Sequence, residues 1–391
     1  MSAVSTTDRA AASGLPVAIL AVAAFLIVTT EYLIVGLLPA LARDLGISIS
    51  AAGQFVTLFA VTVALSGPPL TAALSHLDRK RLFVGILFVF AASNALAAVA
   101  SSVWVLAVAR FVPALALPVF WGTASETAAE LAGPAKAGQA VSRVYLGISA
   151  ALLFGIPLGT LVANAVGWRI AFWALAAASG AMALALAAVM PPVARAPRMH
   201  LREQARIFRE PYFLANVALS VVVFTAMFTA YTYLADVLER LAGVPSTRVG
   251  WWLMGFGAVG LVGNALGGRM VDRSPLRATG VFVALLVLGM AVSLPLARTG
   301  WPFLVSLAVW SVAYTALFPV CQVRVMHSVR HAKALAGTTN VSAANAGIAV
   351  GAVLGGVTIP ALGLAHIGYV AAAAGVVALL LVPIVARYRS A

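Results

Sequence analysis

LFVGILFVFAASNALAAVASSVWVLAVA, residues 82–109, runs without a charge between Arg81 and Arg110. A helix crosses ~30 Å of hydrocarbon with about 20 mainly apolar residues, so this stretch holds one span, 82–102, and opens the next, 104–128. Working outward, the same pattern places spans at 15–40, 51–75, 143–165, 168–190, 213–236, 249–271, 279–297, 301–325, 336–360 and 367–386. Hydrophobic residues make up 63% of the 391 and charged residues 9%, against roughly a quarter charged in a soluble domain. Such a composition cannot cover a water-facing surface. The expected fold class is an all-α membrane protein of twelve transmembrane helices. The first run continues through Glu31 to Pro39 with no small-residue cleavage site that stands out, so it reads as a span and not as a cleaved leader.

The formal charge of +14 would suggest nucleic-acid binding in a soluble chain. Its placement excludes that class. With the N-terminus in the cytoplasm, nineteen Lys and Arg fall on the inner side, five (Arg43, Arg169, Arg240, Arg248 and Arg298) on the outer, and Arg110 inside a span. This asymmetry is the positive-inside signal, and an even number of spans puts both termini in the cytoplasm. The expected location is a bacterial cytoplasmic (inner) membrane. The one cysteine, Cys321, rules out an internal disulfide.

The longest polar stretch divides the chain into an N-terminal six-helix bundle, 1–193, a cytoplasmic linker, 194–211, and a C-terminal six-helix bundle, 212–391. Residues 201–209 read equally as a basic amphipathic helix on the inner leaflet or as a plain tether. Ala72 to Arg81, after span two, aligns with Gly268 to Arg277, after span eight, at an offset of 196 residues. Two parallel halves with a binding site between them at the midplane are a transporter architecture.

The second of these segments, with Gly268, Asp272, Arg273 and Arg277, resembles the span two–three loop of the major facilitator superfamily, in its twelve-span drug and sugar efflux branch of proton antiporters. The first copy keeps Arg81 but has Ala72 for Gly and His76 for Asp, with Asp78 as a stand-in carboxylate. Gly147, Gly155, Pro157 and Gly159 in span five resemble the antiporter signature g-x(7)-G-x-P-x-G. Glycines at this spacing share a face on which another helix can come close, and sequence does not separate a hinge from a packing seam there. Thr30-Glu31-Tyr32 through Pro39 to Asp44, the turn Gly167-Trp168-Arg169 with Phe172, and the span-eleven run Asn345 to Gly356 with Gly347, Gly351 and Gly355 resemble the arabinose or sugar efflux branch. The resemblance implies the major facilitator fold, two pseudo-symmetric six-helix bundles, with rocker-switch exchange driven by the proton gradient and no bound cofactor.

Ionisable residues in hydrocarbon cost at least ~2.5 kcal/mol each and are usually paired or functional. Glu31 lies ~13 Å below the outer end of span one and Arg110 ~9 Å below that of span four. A Glu whose distance to an arginine changes with conformation can load and release a proton, and Arg110 matches the arginine of the family's span-four pattern R-x-x-q-G, with Pro113 and Ala114 in the last two places. These two are the proton-coupling candidates, against a permanent structural ion pair or a Glu near the outer surface that water reaches. Glu126 is expected at the inner interface as a gate or latch with Arg143 or a basic residue near the start of span eleven. Asp236 and Glu239, near Arg240, read as a solvated outer rim.

The midplane candidates for solute contact are Gln54, Asn94, Phe120, Phe224, Phe228, Tyr231, Asn264, Tyr314, Asn340 and Asn345, whose amides and phenols suit neutral or hydroxyl-bearing solutes. The chain has no phosphate-cradling loop, nucleophile with its base, or metal-ligand set, and His327 with His331 reads as solvated. The chain is therefore expected not to be an enzyme but a monomeric secondary transporter in contact with its solute, protons and lipid. Export of a sugar, nucleoside or amphenicol-like drug is the first reading; uptake by the same fold, or a non-transporting receptor or scaffold, are the others.

Overall fold

A backbone surrounded by lipid has no water to bond, so each apolar run must close its own hydrogen bonds as a helix. The computed structural model describes residues 6–74, 77–132, 137–191, 205–330 and 333–388. Among them are twelve helices long and apolar enough to cross a membrane: α1 Gly14–Leu45, α2 Ile49–Thr71, α3 Arg79–Ala98, α4 Val103–Ala132, α5 Arg143–Val166, α6 Trp168–Val189, α7 Pro211–Leu241, α8 Ser246–Val271, α9 Pro275–Ser293, α10 Trp301–His327, α11 Leu335–Leu362 and α12 Leu364–Arg387. One end of the bundle, the termini-bearing end, carries the start of α1 and the end of α12; the other carries the α1–α2 and α7–α8 turns.

Several helices outrun the lengths expected from apolarity. The helix of α1 continues to Leu45, past Arg43 and Asp44, because both charges find partners beyond the hydrocarbon, Glu239 and Arg169. In α9 the start moves to Pro275, whose fixed φ suits the first helical position after the extended Ser274. Of 201–209, the described part is one 3₁₀ turn, Ala205–Arg209, and its Ile207 is fully buried against Phe213, Val325 and Val329. An apolar anchor in the last six spans holds this turn, and the rest of 201–209 lies outside the described residues.

The repeat at offset 196 is written into the packing. In α5, a Cβ at Gly147 would lie 2.5 Å from the Ala21 carbonyl and 2.8 Å from the Phe25 nitrogen, and Gly155 and Gly159 press on Thr29 and Leu33, all on α1. In α11, Gly347, Gly351 and Gly355 press in the same way on Val221, Thr225 and Thr229 of α7. Gly155 and Gly351 are 196 positions apart, and so are their contacts Thr29 and Thr225. The turns that follow repeat as well: Gly167 and Gly363 have φ +101° and +89°, backbone that side-chain-bearing residues rarely adopt. The span-five glycines thus form a packing seam, tightened by a π-helical turn at Ala151–Gly155 just ahead of Pro157.

The two sets of six spans meet along α5–α8 and α2–α11. Here α8 supplies glycines: Gly250 and Gly257 lie against Pro157, Leu161 and Leu152 of α5. Replacing Gly147 with alanine is expected to cost about 1–3 kcal/mol through overpacking against backbone. Gly268→Ala, where a Cβ would meet nothing within 4 Å, should be neutral or stabilise by up to about 1 kcal/mol. Thermal melts in detergent compare the two.

Candidate functional site

Glu31 sits on the face of α1 turned toward the last six spans and is 8% exposed. Arg110, on α4 and 1% exposed, donates from Nη1 to the Thr30 carbonyl at 2.6 Å and from Nη2 to the Glu31 carbonyl at 2.7 Å. Its guanidinium also lies 4.4 Å from the centre of the Phe59 ring. Asn94 of α3 donates to the Thr30 hydroxyl at 3.0 Å. Two helices, α3 and α4, thus grip one turn of α1, and Phe59 of α2 packs on the gripping guanidinium. The structure brings Glu31 and Arg110 together, but through the backbone, and no ion pair joins the guanidinium to the carboxylate. The carboxylate is left among the Tyr32, Tyr314 and Arg110 side chains.

Across the cleft stands an aromatic cluster. Tyr32 stacks on Phe228 of α7 at 5.8 Å between ring centres. Tyr231 and Tyr314 stack at 4.3 Å, and Tyr314 lies 5.7 Å from Phe228. Phe224, Phe256 and Phe318 close the cluster. The buried Tyr314 hydroxyl faces that of Tyr231 without meeting hydrogen-bond geometry. Phe256 and Phe318 are missing from the sequence reading, and Tyr32 enters it as part of the Thr30-Glu31-Tyr32 motif but not as a solute contact. Tyr32 was open to it as the residue beside Glu31, whereas the two phenylalanines had no signal apart from their spans.

The amides are placed less uniformly. Asn345 is 4% exposed and donates to its own helix at Val341, leaving its Oδ1 buried without a partner. Asn340 bonds to Gln322 at 2.7 Å. Asn264 reaches Ser149 across α8–α5 at 3.4 Å, while Gln54, exposed at the α2–α11 seam, donates to Ser50. Phe120 does not join the cluster: it packs on Phe83 and Trp121 inside the first six spans. Its position on α4 gives the right height but the wrong side.

At the termini-bearing end, Glu126 pairs with Arg79 at 2.7 Å, not with Arg143 or a residue of α11. The reason is local, since the start of α3 packs on α4 and buries Arg79 to 1% exposure, where it needs a counter-charge. Arg143 is exposed, as are Arg81, Arg273 and Arg277. Asp78 caps α3 by accepting from the Arg81 amide at 2.9 Å. His76, and the side chain of Asp272, lie outside the described residues. Arg324 of α10 is buried and bonds to Ser220, Thr279 and the Asn216 carbonyl. Among the described residues no cluster could hold a metal ion.

At the opposite end the two sets of spans are tied across the cleft. Arg43 pairs with Glu239 at 3.2 Å, a contact between positions 196 apart, and Asn164 donates to the Ser246 carbonyl at 2.6 Å. Asp236 is 1% exposed and held by Arg240, so it is no solvated rim: the end of α7 tucks it under α1. Asp44 accepts from Trp168 and Arg169, which joins two of the sequence motifs directly.

The Major Facilitator Superfamily profile matches residues 20–340. The chain belongs to the major facilitator superfamily. Within the superfamily it is 33% identical over 373 residues to the inner membrane transport protein YdhP of Escherichia coli (strain K12), covering 95% of this chain and 96% of that one. It is 32% identical over 360 residues to the uncharacterized MFS-type transporter YtbD of Bacillus subtilis (strain 168), covering 90% of each. Among solved structures of the fold, a D-xylose-proton symporter superposes with TM-score 0.75 at 17% identity, over 94% of this chain and 96% of that one. A bacterial homolog of the human lysosomal transporter Spinster, inward-facing and unoccupied, gives 0.70 at 16% identity, over 98% and 96%. The chain is a multi-pass membrane transporter of this superfamily.

Proposed function

We propose that the chain exports a small solute in exchange for protons, with Glu31 as the proton-carrying group and residues 1–193 and 212–391 rocking against each other. One observation carries this reading: the Glu31 carboxylate is buried between the two sets of spans and free of an ion pair, while Arg110 holds its backbone. A carboxylate so placed feels any change at the cleft, and a change of surroundings drives proton uptake or release. The aromatic side chains beside it, among them Tyr32, Phe228, Tyr231 and Tyr314, with the Asn94 amide on the adjoining Thr30, suit a solute with one apolar face and some hydroxyls. A sugar, a nucleoside or an amphenicol-like drug fits that description. The antiporter signature in α5 favours export over uptake, and the chemistry needs no cofactor beyond the proton gradient.

The charge asymmetry favours the termini-bearing end as the cytoplasmic one. The tied end is then external, and the arrangement is closed to the outside. In proteoliposomes carrying a luminal pH indicator, one of those solute classes should move against the proton flow. Flux indifferent to the gradient sinks the coupling, and flux along the proton flow makes the chain an uptake carrier.

The external closure predicts a second result. Linking Arg43→Cys to Glu239→Cys with a cleavable bifunctional thiol reagent should stop flux, and reductant should restore it. Cys321, the natural thiol, is buried. Undiminished flux in the linked protein would show that this end never has to part.

A further inference from the structure

Helices α2 and α3 each pack on α4 but hardly touch one another. The gap between them is a groove of about 580 Å³ that faces the surrounding lipid at the termini-bearing end. Leu74, at the end of the helix of α2, forms one side, Gly85 and Val89 of α3 the other, and Val119 of α4 the floor. Gly85 is exposed, and a Cβ there would meet nothing within 4 Å. An apolar groove open to hydrocarbon does not stay empty, because bare walls forfeit dispersion contacts. A lipid tail is what the surroundings supply.

The mouth of the groove decides which lipid. Asp78 and Arg81 line it, and Lys80 is next in the chain. Arg79, buried, is neutralised by Glu126. Asp78 engages an oxygen with the Arg81 amide. With Arg79 offset by Glu126, residues 78–81 keep two cations, the exposed Arg81 at the mouth and the half-buried Lys80 beside it in the chain, against the Asp78 carboxylate, so this end of the groove carries a net positive charge. Basic pockets between spans at the cytoplasmic face are suited to anionic head groups.

We propose that the groove between α2, α3 and α4 is a binding site for an anionic phospholipid of the leaflet nearer the chain termini, its tail along Val89 and Val119 and its phosphate at Arg81 and Lys80. This stands apart from the transport reading, since none of these residues lines the central cleft. Because α2 also packs on α11, the bound lipid touches a helix of the contact between the two sets of spans.

The full chain in detergent tests this with phosphatidylglycerol and phosphatidylcholine of identical tails, read by melting temperature and by lipid retained in native mass spectrometry. Phosphatidylglycerol should raise the melting temperature more and be retained at lower added concentration. The Lys80→Gln/Arg81→Gln variant should lose the preference while still melting like the parent in phosphatidylcholine. Gly85→Leu, which fills the groove from an open position, should lose retention of both lipids. Equal effects of the two lipids on the parent overturn the proposal, as does a preference that survives in the double variant. Phosphatidylglycerol retained undiminished by Gly85→Leu would place the lipid elsewhere and overturn it too.

Discussion

Glu31→Gln is expected to abolish proton movement coupled to solute in proteoliposomes, while exchange of solute across the same membrane at equal pH persists. Glutamine keeps the shape of the side chain and one of its acceptors but cannot cycle a proton. The Arg110 bonds to the Thr30 and Glu31 carbonyls do not involve the carboxylate, so the grip on α1 survives the substitution. Binding and stability should therefore change little, and the pH dependence of flux should flatten. A variant that still drives protons in proportion to solute would remove Glu31 from the coupling. A variant that no longer binds solute would make the residue a ligand contact instead.

The second large effect concerns Arg110. Truncating one member of a buried charged pair typically costs about 3–5 kcal/mol, because the other charge stays buried without compensation. Arg110→Met should fall in that range even though no ion pair joins it to Glu31, since the two charges share one dry compartment and Arg110 also ties α4 to α1. Adding Glu31→Gln removes the stranded charge, and the double variant should be more stable than Arg110→Met alone. Such a rescue in denaturant or thermal unfolding is the coupling term of a double-mutant cycle. Additive losses would mean that Arg110 acts on the α1 backbone only.

Much of the fold could be read from the chain before any coordinates, because lipid leaves an apolar run one choice, a helix. Depth was also legible: counting residues from the turns put Glu31 and Arg110 at similar heights, and they do meet. What counting does not supply is the direction a side chain takes around its helix. Phe120 has the right height and points into its own set of spans, and Glu126 pairs with the buried Arg79 rather than with Arg143 or a basic residue near the start of span eleven. Asp236 looked like a surface residue because it follows an apolar run, yet α7 continues beyond it and covers it. The tyrosine and phenylalanine cluster depends on α1, α7, α8 and α10 converging, which no one segment encodes.

The twin glycine seams have a consequence for how the molecule tolerates change. Helices α5 and α11 each present glycines to a neighbour in their own set of spans, α1 and α7, and another face to the opposite set, α8 and α2. On the rocking motion proposed above, each is at once a wall of one half and a rail for the other. A side chain enlarged on the glycine side is met by backbone and is felt as lost folding; one enlarged on the opposite side is felt as altered sliding. In a saturation library the two helices should therefore show paired stripes of intolerance 196 positions apart, one stripe depleting the protein from the membrane and the other leaving it there but slow.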